Sequence, residues 1–356
     1  MRVTLFRAFP DSYRQSMQVY ADSLERALRP LLSPTEEVTG FLPRGVRLAP
    51  KLVRYGSQYV RYPLEASGAQ GDVNHVIDHA YGHLLWTLNP SKTVVTVHDA
   101  IALKNRAQPA LLQHYNLSGI RKAAAILCDS EASRRDLLAL TGYPAHQVKV
   151  IYLGVSENFF KEGSGEPRVR FHLPSCHILL HVGHNKFYKN IPALLRVLAI
   201  LAYSLRLDVK LLKVGDAFTK DQEGLAKTLG VADRIVHQGI VSSEDLPDLY
   251  RCADLLLLPS LDEGFGLPVL EAMASGIPVV ASNRGALPEI VGEAGLLVDP
   301  GDIGAMVKGA AAILQQPELR SKLRELGLRR ARQFTWEKTA ERTLTVYRKI
   351  FNSRWH

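Results

Sequence analysis

The chain is expected to fold as α/β, in two doubly wound parallel-sheet domains. Three observations predict this. Short apolar runs alternate with amphipathic stretches along the whole length. Runs such as Ala123–Cys128 and Leu255–Pro259 are continuously apolar, the mark of strands buried on both faces. And 356 residues exceed what one compact core ordinarily organises.

Taken in order, Val3–Phe6 reads as a strand and Ser16–Leu28 as an amphipathic helix. Val73–Ile77, Thr93–Val97 and Ala123–Cys128 read as buried strands, and Ser130 as the N-cap of a following helix. Val148–Tyr152 closes this half. Residues 161–175 are rich in turn residues and read as a linker. The rhythm then restarts. Strands are expected at Ile178–Val182, Val209–Val214, Ile235–His237, Asp254–Pro259 and Pro278–Ala281. Helices are expected at Ile191–Ser204, Leu225–Leu229, Leu246–Ala253 and Pro268–Ser275. A last helix runs to Ile350, with an apolar stripe through Ala340, Leu344, Tyr347 and Phe351. The expected domains are 1–160, 161–335, and a helix 336–356 packing back toward the first. In doubly wound folds the ligand sits at the carboxyl ends of the strands, here in a cleft that the two domains face.

Composition narrows the class. No apolar run approaches the roughly 18 residues needed to span a bilayer. The first residues reach Asp11 too soon for a secretion signal, so a cytoplasmic location is expected. Cys128, Cys176 and Cys252 are odd in number and widely spaced, which suits reduced thiols. Cys176, His177, His181 and His184 suggest a zinc site only until the strand is drawn, because alternate residues face opposite ways. The net charge of +9 suits an anionic substrate or surface, with no zinc-finger spacing or arginine-rich tail to favour nucleic acid. Arg44, Arg47, Lys51, Arg54 and Arg61, interleaved with Tyr55, Tyr59 and Tyr62, form a basic stretch. It reads as a solvated loop, or as a contact with anionic headgroups at the inner face of a membrane or with an acidic acceptor.

The densest chemical signal is Leu255-Leu-Leu-Leu-Pro-Ser-Leu-Asp-Glu-Gly-Phe-Gly-Leu-Pro-Val-Leu-Glu. A strand ends, a glycine loop follows, and a helix begins near Leu267, with Pro268 in the first turn where a missing N–H costs nothing. Gly264 and Gly266 permit close approach of backbone to ligand. The helix start adds free N–H groups and the positive dipole end. Together they make an anion site suited to a diphosphate. Glu263 and Glu271 bracket the loop, and carboxylates accept hydrogen bonds from vicinal hydroxyls of sugar or ribose. Two solvated glutamates favoured by the dipole are the blander reading of the pair.

This segment, continued by Gly285-Ala-Leu-Pro-Glu-Ile-Val-Gly and Gly295-Leu-Leu-Val-Asp-Pro, closely resembles the retaining glycosyltransferases of family 4, the group 1 glycosyltransferases. Asp245-Leu-Pro-Asp-Leu-Tyr-Arg-Cys-Ala-Asp, Val94-Val-Thr-Val-His-Asp, Cys128-Asp-Ser-Glu-Ala-Ser-Arg-Arg-Asp-Leu and Val150-Ile-Tyr-Leu-Gly-Val extend the resemblance over most of the chain. It implies the GT-B fold, two Rossmann-like domains: the first for an acceptor, the second for a nucleotide-sugar. It also implies roles. Glu263 resembles the residue holding the donor sugar near the reacting carbon, and Glu271 the ribose-binding glutamate. Phe265, Gly266 and Leu267 would offer backbone N–H groups. Lys189 resembles the lysine on the diphosphate, and His98 would lie near the donor sugar, as a hydrogen-bond or proton-transfer group. Val241 would meet the base, and His184, Asn185 and Gly215 fall among the donor-binding positions.

The chain departs from the family pattern twice. His184 stands where an arginine often follows the glycine, which leaves Lys186 as a substitute cation. No double-glycine loop follows the first strand, so Arg14 or Ser16 would serve the phosphates instead. Because no Asp-x-Asp occurs, neither metal nor cofactor is expected. The resemblance implies transfer with retained configuration, the leaving phosphate oxygen acting as base, from a UDP-sugar or, less commonly in the family, a GDP-sugar. The acceptor would be a saccharide or lipid-linked saccharide. Competing readings are a nucleotide-sugar epimerase of the same architecture and a non-catalytic nucleotide-sugar sensor. A nicotinamide oxidoreductase is disfavoured, because Val269 occupies the place of the third glycine.

Overall fold

The structure, a computed structural model, describes residues 1–9, 15–44, 51–104, 110–162 and 166–353. Arg14 and Arg47 lie outside the described residues. The chain divides into two units, Met1–Gly154 with Thr335–His356, and Val155–Phe334.

The first unit carries β1 (Arg2–Phe6), β2 (Glu37–Phe41), β3 (Val73–Val76), β4 (Thr93–Val97), β5 (Ala125–Cys128) and β6 (Val148–Val150). They form one parallel sheet in the order β2-β1-β3-β4-β5-β6. β3, β4 and β5 are buried at every residue, as strands covered on both faces are, with Asn74, His75, Thr93 and Thr96 their buried polar members. Ser130 caps the next helix, accepting the Ser133 N–H at 3.0 Å.

The C-terminal helix Trp336–Asn352 belongs to this unit and packs against the helix Gln15–Leu28. Ala340, Leu344 and Tyr347 are buried as the stripe requires, but Ile350 is buried where Phe351 was expected and Phe351 is half-exposed. The basic stretch is not a loop where described. Lys51–Gly56, a π-helical turn Ser57–Arg61 and Tyr62–Gly68 make a continuous helical run. Buried Tyr62 and Ala66 give it a core-facing side, and Arg61 pairs with Glu65 one turn on, at 2.7 Å.

The second unit carries β7 (His177–Gly183), β8 (Val209–Gly215), β9 (Ile235–Gly239), β10 (Leu255–Leu258), β11 (Val279–Ser282) and β12 (Leu296–Val298), again all parallel, in the order β12-β11-β10-β7-β8-β9. Leu255 to Leu258 are all 0% exposed at the centre of this sheet. The described part of the stretch read as a linker is tied into this unit. Arg168 reaches Asp254 at 2.8 Å and the Cys252 carbonyl at 3.0 Å, and Arg170 pairs with Asp245 and Asp248. All three cysteines are free.

Candidate functional site

The strands of the second sheet run parallel, so their carboxyl ends share one edge, and the site residues of this unit gather there. β10 ends at Leu258, and the glycine loop leads to the helix Leu267–Ala274. Gly266 sits at its N-cap with φ +96, and the Gly266 carbonyl accepts the Val269 N–H at 3.0 Å. Gly285 packs directly under the loop. A Cβ there would lie 2.5 Å from the Glu263 carbonyl oxygen, and the next residue, Ala286, donates its N–H to that oxygen at 2.9 Å. The backbone of Glu263 is thus held from below by a neighbour that must lack a side chain.

Lys189 enters from the strand beside it. β7 ends at Gly183, a short loop and a 3-10 turn Phe187–Lys189 follow, and Asn190 ties the turn down by donating to the carbonyls of Pro259 and Pro300 at 3.1 and 3.0 Å. This brings the Lys189 Nζ to 2.5 Å from Glu263 Oε1, with both side chains buried. The Ser260 hydroxyl donates to the same oxygen at 2.8 Å. Two sequence-derived candidates, 74 residues apart, form one buried ion pair.

Glu271 lies one turn into the helix. The Tyr250 hydroxyl donates to its Oε2 at 2.6 Å. Burial pushes the carboxyl up to about 7, and the Tyr250 hydrogen bond pulls the other way without prevailing. Phe265 and Gly266 are buried, and Leu267 half-buried, around the loop.

On the β7–β8 side, Gly183 and Gly215 are partners in register. His184 sits 3.4 Å from Asp216 through Nδ1. Burial, helped by Lys186 and Lys189, lowers its pKa below the ordinary imidazole value against the pull of Asp216. The ring where the family often has an arginine is therefore uncharged at neutral pH. Asn185 donates to the carbonyls of Asp216 and Ala217, which fastens its loop to the end of β8. Val241, half-buried, follows β9. Three residues the sequence reading missed complete the edge: Ser260, Tyr250 and Lys213. Only Lys213 carried a signal, a lysine inside an apolar strand.

His98 belongs to the first unit, just past β4. It is buried, and both of its ring nitrogens face acceptors. Nδ1–H donates to Asp129 Oδ2 at 2.6 Å and Nε2–H to the Ile77 carbonyl at 2.8 Å. Burial opposes its charge, but Asp129, then Asp78 and the Ile77 carbonyl, lift its pKa to about 9. The ring is an imidazolium at neutral pH, with no lone pair to accept a proton. Beside it, Tyr20 stands edge-on at 4.7 Å and bonds Thr96 at 3.1 Å. Thr96 in turn meets His75, whose other nitrogen meets Tyr347. Ser16 is exposed at the start of the helix Gln15–Leu28. Among the described residues, no cluster of three or more His, Cys, Asp or Glu side chains could hold a metal ion. That covers the Cys176, His177, His181 and His184 group. Nor is any described helix long and apolar enough to cross a membrane.

Comparison with known proteins agrees with this architecture. The family model for glycosyl transferases group 1 matches residues 173–330, and that for glycosyltransferase family 4 matches residues 18–159. O-antigen chain mannosyltransferase B of Escherichia coli is 35% identical over 232 residues, 64% of this chain and 61% of its own length. MMP alpha-(1->4)-mannosyltransferase of Mycolicibacterium hassiacum is 31% identical over 274 residues, 72% of this chain and 65% of its own. The match thus spans less than two thirds of either relative. Sucrose-phosphate synthase from Thermosynechococcus elongatus superposes with a TM-score of 0.81 at 22% identity, covering 99% of this chain and 100% of that one, a likeness of fold alone. With one family model on each of two parallel-sheet units, the chain belongs to the family 4, group 1 glycosyltransferases of GT-B fold.

Proposed function

We propose that the protein transfers a sugar, with retained anomeric configuration, from a nucleoside-diphosphate sugar to a saccharide or lipid-linked saccharide in glycan biosynthesis. The observation that carries this reading is the buried Lys189–Glu263 pair beside the loop that opens the helix Leu267–Ala274. A cation and a carboxylate, pre-placed beside the positive end of a helix dipole, match a donor that is anionic at its phosphates and hydroxylated at its sugar.

In this reading Lys189 takes up charge on the departing diphosphate while Glu263 holds sugar hydroxyls. Glu271 accepts the ribose hydroxyls, with Tyr250 holding its carboxylate in place. Phe265, Gly266 and Leu267 give backbone N–H groups, His184, Asn185 and Gly215 line the phosphate side, and Val241 meets the base. The leaving phosphate oxygen takes the acceptor proton, so no protein base and no metal is required. His98, an imidazolium with both protons committed, serves as a hydrogen-bond donor to the sugar by releasing the Ile77 carbonyl. Ser16 and Arg14 remain candidates for the phosphates from the first unit.

Both relatives named above are mannosyltransferases, so GDP-mannose joins the UDP-sugars in the test. Thermal shift against UDP, GDP and their sugar conjugates is expected to pick out one nucleotide, with the shift lost in Glu271→Ala. Product NMR is expected to show the donor's anomeric configuration. An inverted product would overturn the retaining mechanism, and turnover without any acceptor would favour an epimerase. The basic helical run from Lys51 exposes Val53, Val60 and Leu64 beside Arg54 and Arg61. That surface suits peripheral contact with anionic lipid, checked by sedimentation with anionic and neutral vesicles.

A further inference from the structure

β8 reads Val-Lys-Leu-Leu-Lys-Val-Gly and lies inside the sheet, between β7 and β9. Lys210 is half-exposed, whereas Lys213 is 0% exposed, between buried Leu212 and Val214. An ammonium in such a place is costly unless its environment compensates it. Here no carboxylate does so within ion-pair distance, among the described residues. Its hydrogen bonds go to two main-chain carbonyls, Gly183 at 2.6 Å and Val214 at 3.1 Å. The two strand ends are pressed together at this point, since a Cβ on Gly215 would lie 2.5 Å from the Gly183 oxygen.

The peptide bond is planar and trans, so the Gly183 carbonyl and the His184 N–H point to opposite edges of one plane. Holding the carbonyl on Lys213 turns that N–H away from the ammonium. Lys189 lies near the same glycine, for a Cβ on Gly183 would come 3.7 Å from its Nζ. The Gly183 peptide is therefore set among two ammonium groups, and one residue later the uncharged His184 stands in place of a phosphate cation.

We propose that Lys213 is a positioning residue for the donor diphosphate: it clamps the Gly183 carbonyl, aims the His184 N–H at the phosphates, and supplies from beneath the strand ends the positive charge that His184 does not. This rests on the donor-binding reading above. Lys213 acts through the backbone and through its field, in a low-dielectric interior where charge is weakly screened.

The groups facing it bear on its titration. His181 on β7 and His237 on β9 are its register partners. His181 is fully buried and held uncharged by burial and by Lys213 itself, and His237 meets the Gly215 carbonyl through Nε2 at 2.9 Å. Burial lowers Lys213 to about 8, Asp216 supports its charge and Lys189 opposes it.

The test is calorimetric binding of UDP, UMP, GDP and GMP to the full-length protein and to Lys213→Met, a change of a buried charge for an apolar chain of similar volume. The variant is expected to melt no lower than the wild type. The advantage of diphosphate over monophosphate should shrink about tenfold, the worth of one charge-assisted contact. A variant that keeps the full advantage overturns the proposal, as does one that loses mono- and diphosphate binding equally. Should Lys213→Met not fold, the wild type carries the test. As pH rises through about 8, the advantage of diphosphate over monophosphate should fall, the ribose-side carboxylate acting on both ligands alike, while the same deprotonation adds to thermal stability, and an advantage that stays flat overturns the proposal. If the wild type binds no nucleoside diphosphate, the donor-binding reading itself has failed. If it binds but ignores Lys213, only the clamp has.

Discussion

Lys189 and Glu263 form a buried ion pair, and the proposed mechanism uses the charge of each. Lys189→Met and Glu263→Gln are both expected to lower kcat by about a hundredfold or more, the usual effect of removing one preorganised electrostatic contact. Steady-state kinetics with the selected donor checks this. Glu271 offers a pH signature. Its folded pKa, about 7, lies above that of a free carboxylate. The folded state therefore binds the extra proton between the two values, and this group's contribution to stability declines as pH rises through that window. Nucleotide affinity should move the opposite way, rising through about 7 as the carboxylate forms, and Glu271→Gln should flatten the rise in a calorimetric titration.

His98 contributes to stability with the same sign, in a higher pH window. Its pKa is raised to about 9, so its stabilisation is complete below the ordinary imidazole value and is lost as pH climbs through the folded one. Asp129→Asn leaves the buried imidazolium without its carboxylate. It is expected to cost about 3 kcal/mol or more in chemical denaturation and to bring the His98 titration down in an NMR experiment.

Among the elements of the second unit, the loop over Gly285 combines a positive φ with close backbone packing. Gly285→Ala would put a methyl group 2.5 Å from one backbone atom of Glu263 and 2.6 Å from another, at a φ of +59. Backbone cannot step aside as a side-chain tip can. A loss of about 2 kcal/mol or more is expected, with nucleotide binding reduced alongside. What was legible in the sequence follows burial. β10, with four leucines at 0% exposure, announces itself, and so do β3, β4 and β5. The edge strands β2 and β12 did not, because Glu37–Phe41 is mostly exposed and shows neither an unbroken apolar run nor a strict alternation, and Leu296–Val298, though apolar, is only three residues long and half-buried. The helical run from Lys51 was hidden by its charges, since its apolar side shows only once Tyr62 and Ala66 are seen to be buried. Glu263 and Glu271 were legible as candidates from motif and spacing, and Lys189 from the family resemblance. Their contact was not, because a distance between residues 189 and 263 depends on strand order. Lys213 was passed over because a lysine in a strand ordinarily faces solvent.

For the molecule as a whole, the two units should answer separately to damage. Ending the chain at Phe334 removes Tyr347, the hydroxyl on His75, and the partner of the helix Gln15–Leu28. Calorimetry of that truncation is expected to show the first unit's transition lost or sharply lowered and the second unit's transition kept with its nucleotide shift. A single shared transition that falls as one would contradict this. The discontinuity also orders events during synthesis. Every residue of the second unit has been made once Phe334 emerges, whereas the first unit, begun earlier, still awaits its final helix. Until then the face of Gln15–Leu28 that this helix covers has no cover, and His75 lacks the Tyr347 hydroxyl on its Nδ1. The half of the protein that is translated first is completed last, so the nascent chain must keep an unfinished apolar surface from aggregating through most of its time on the ribosome.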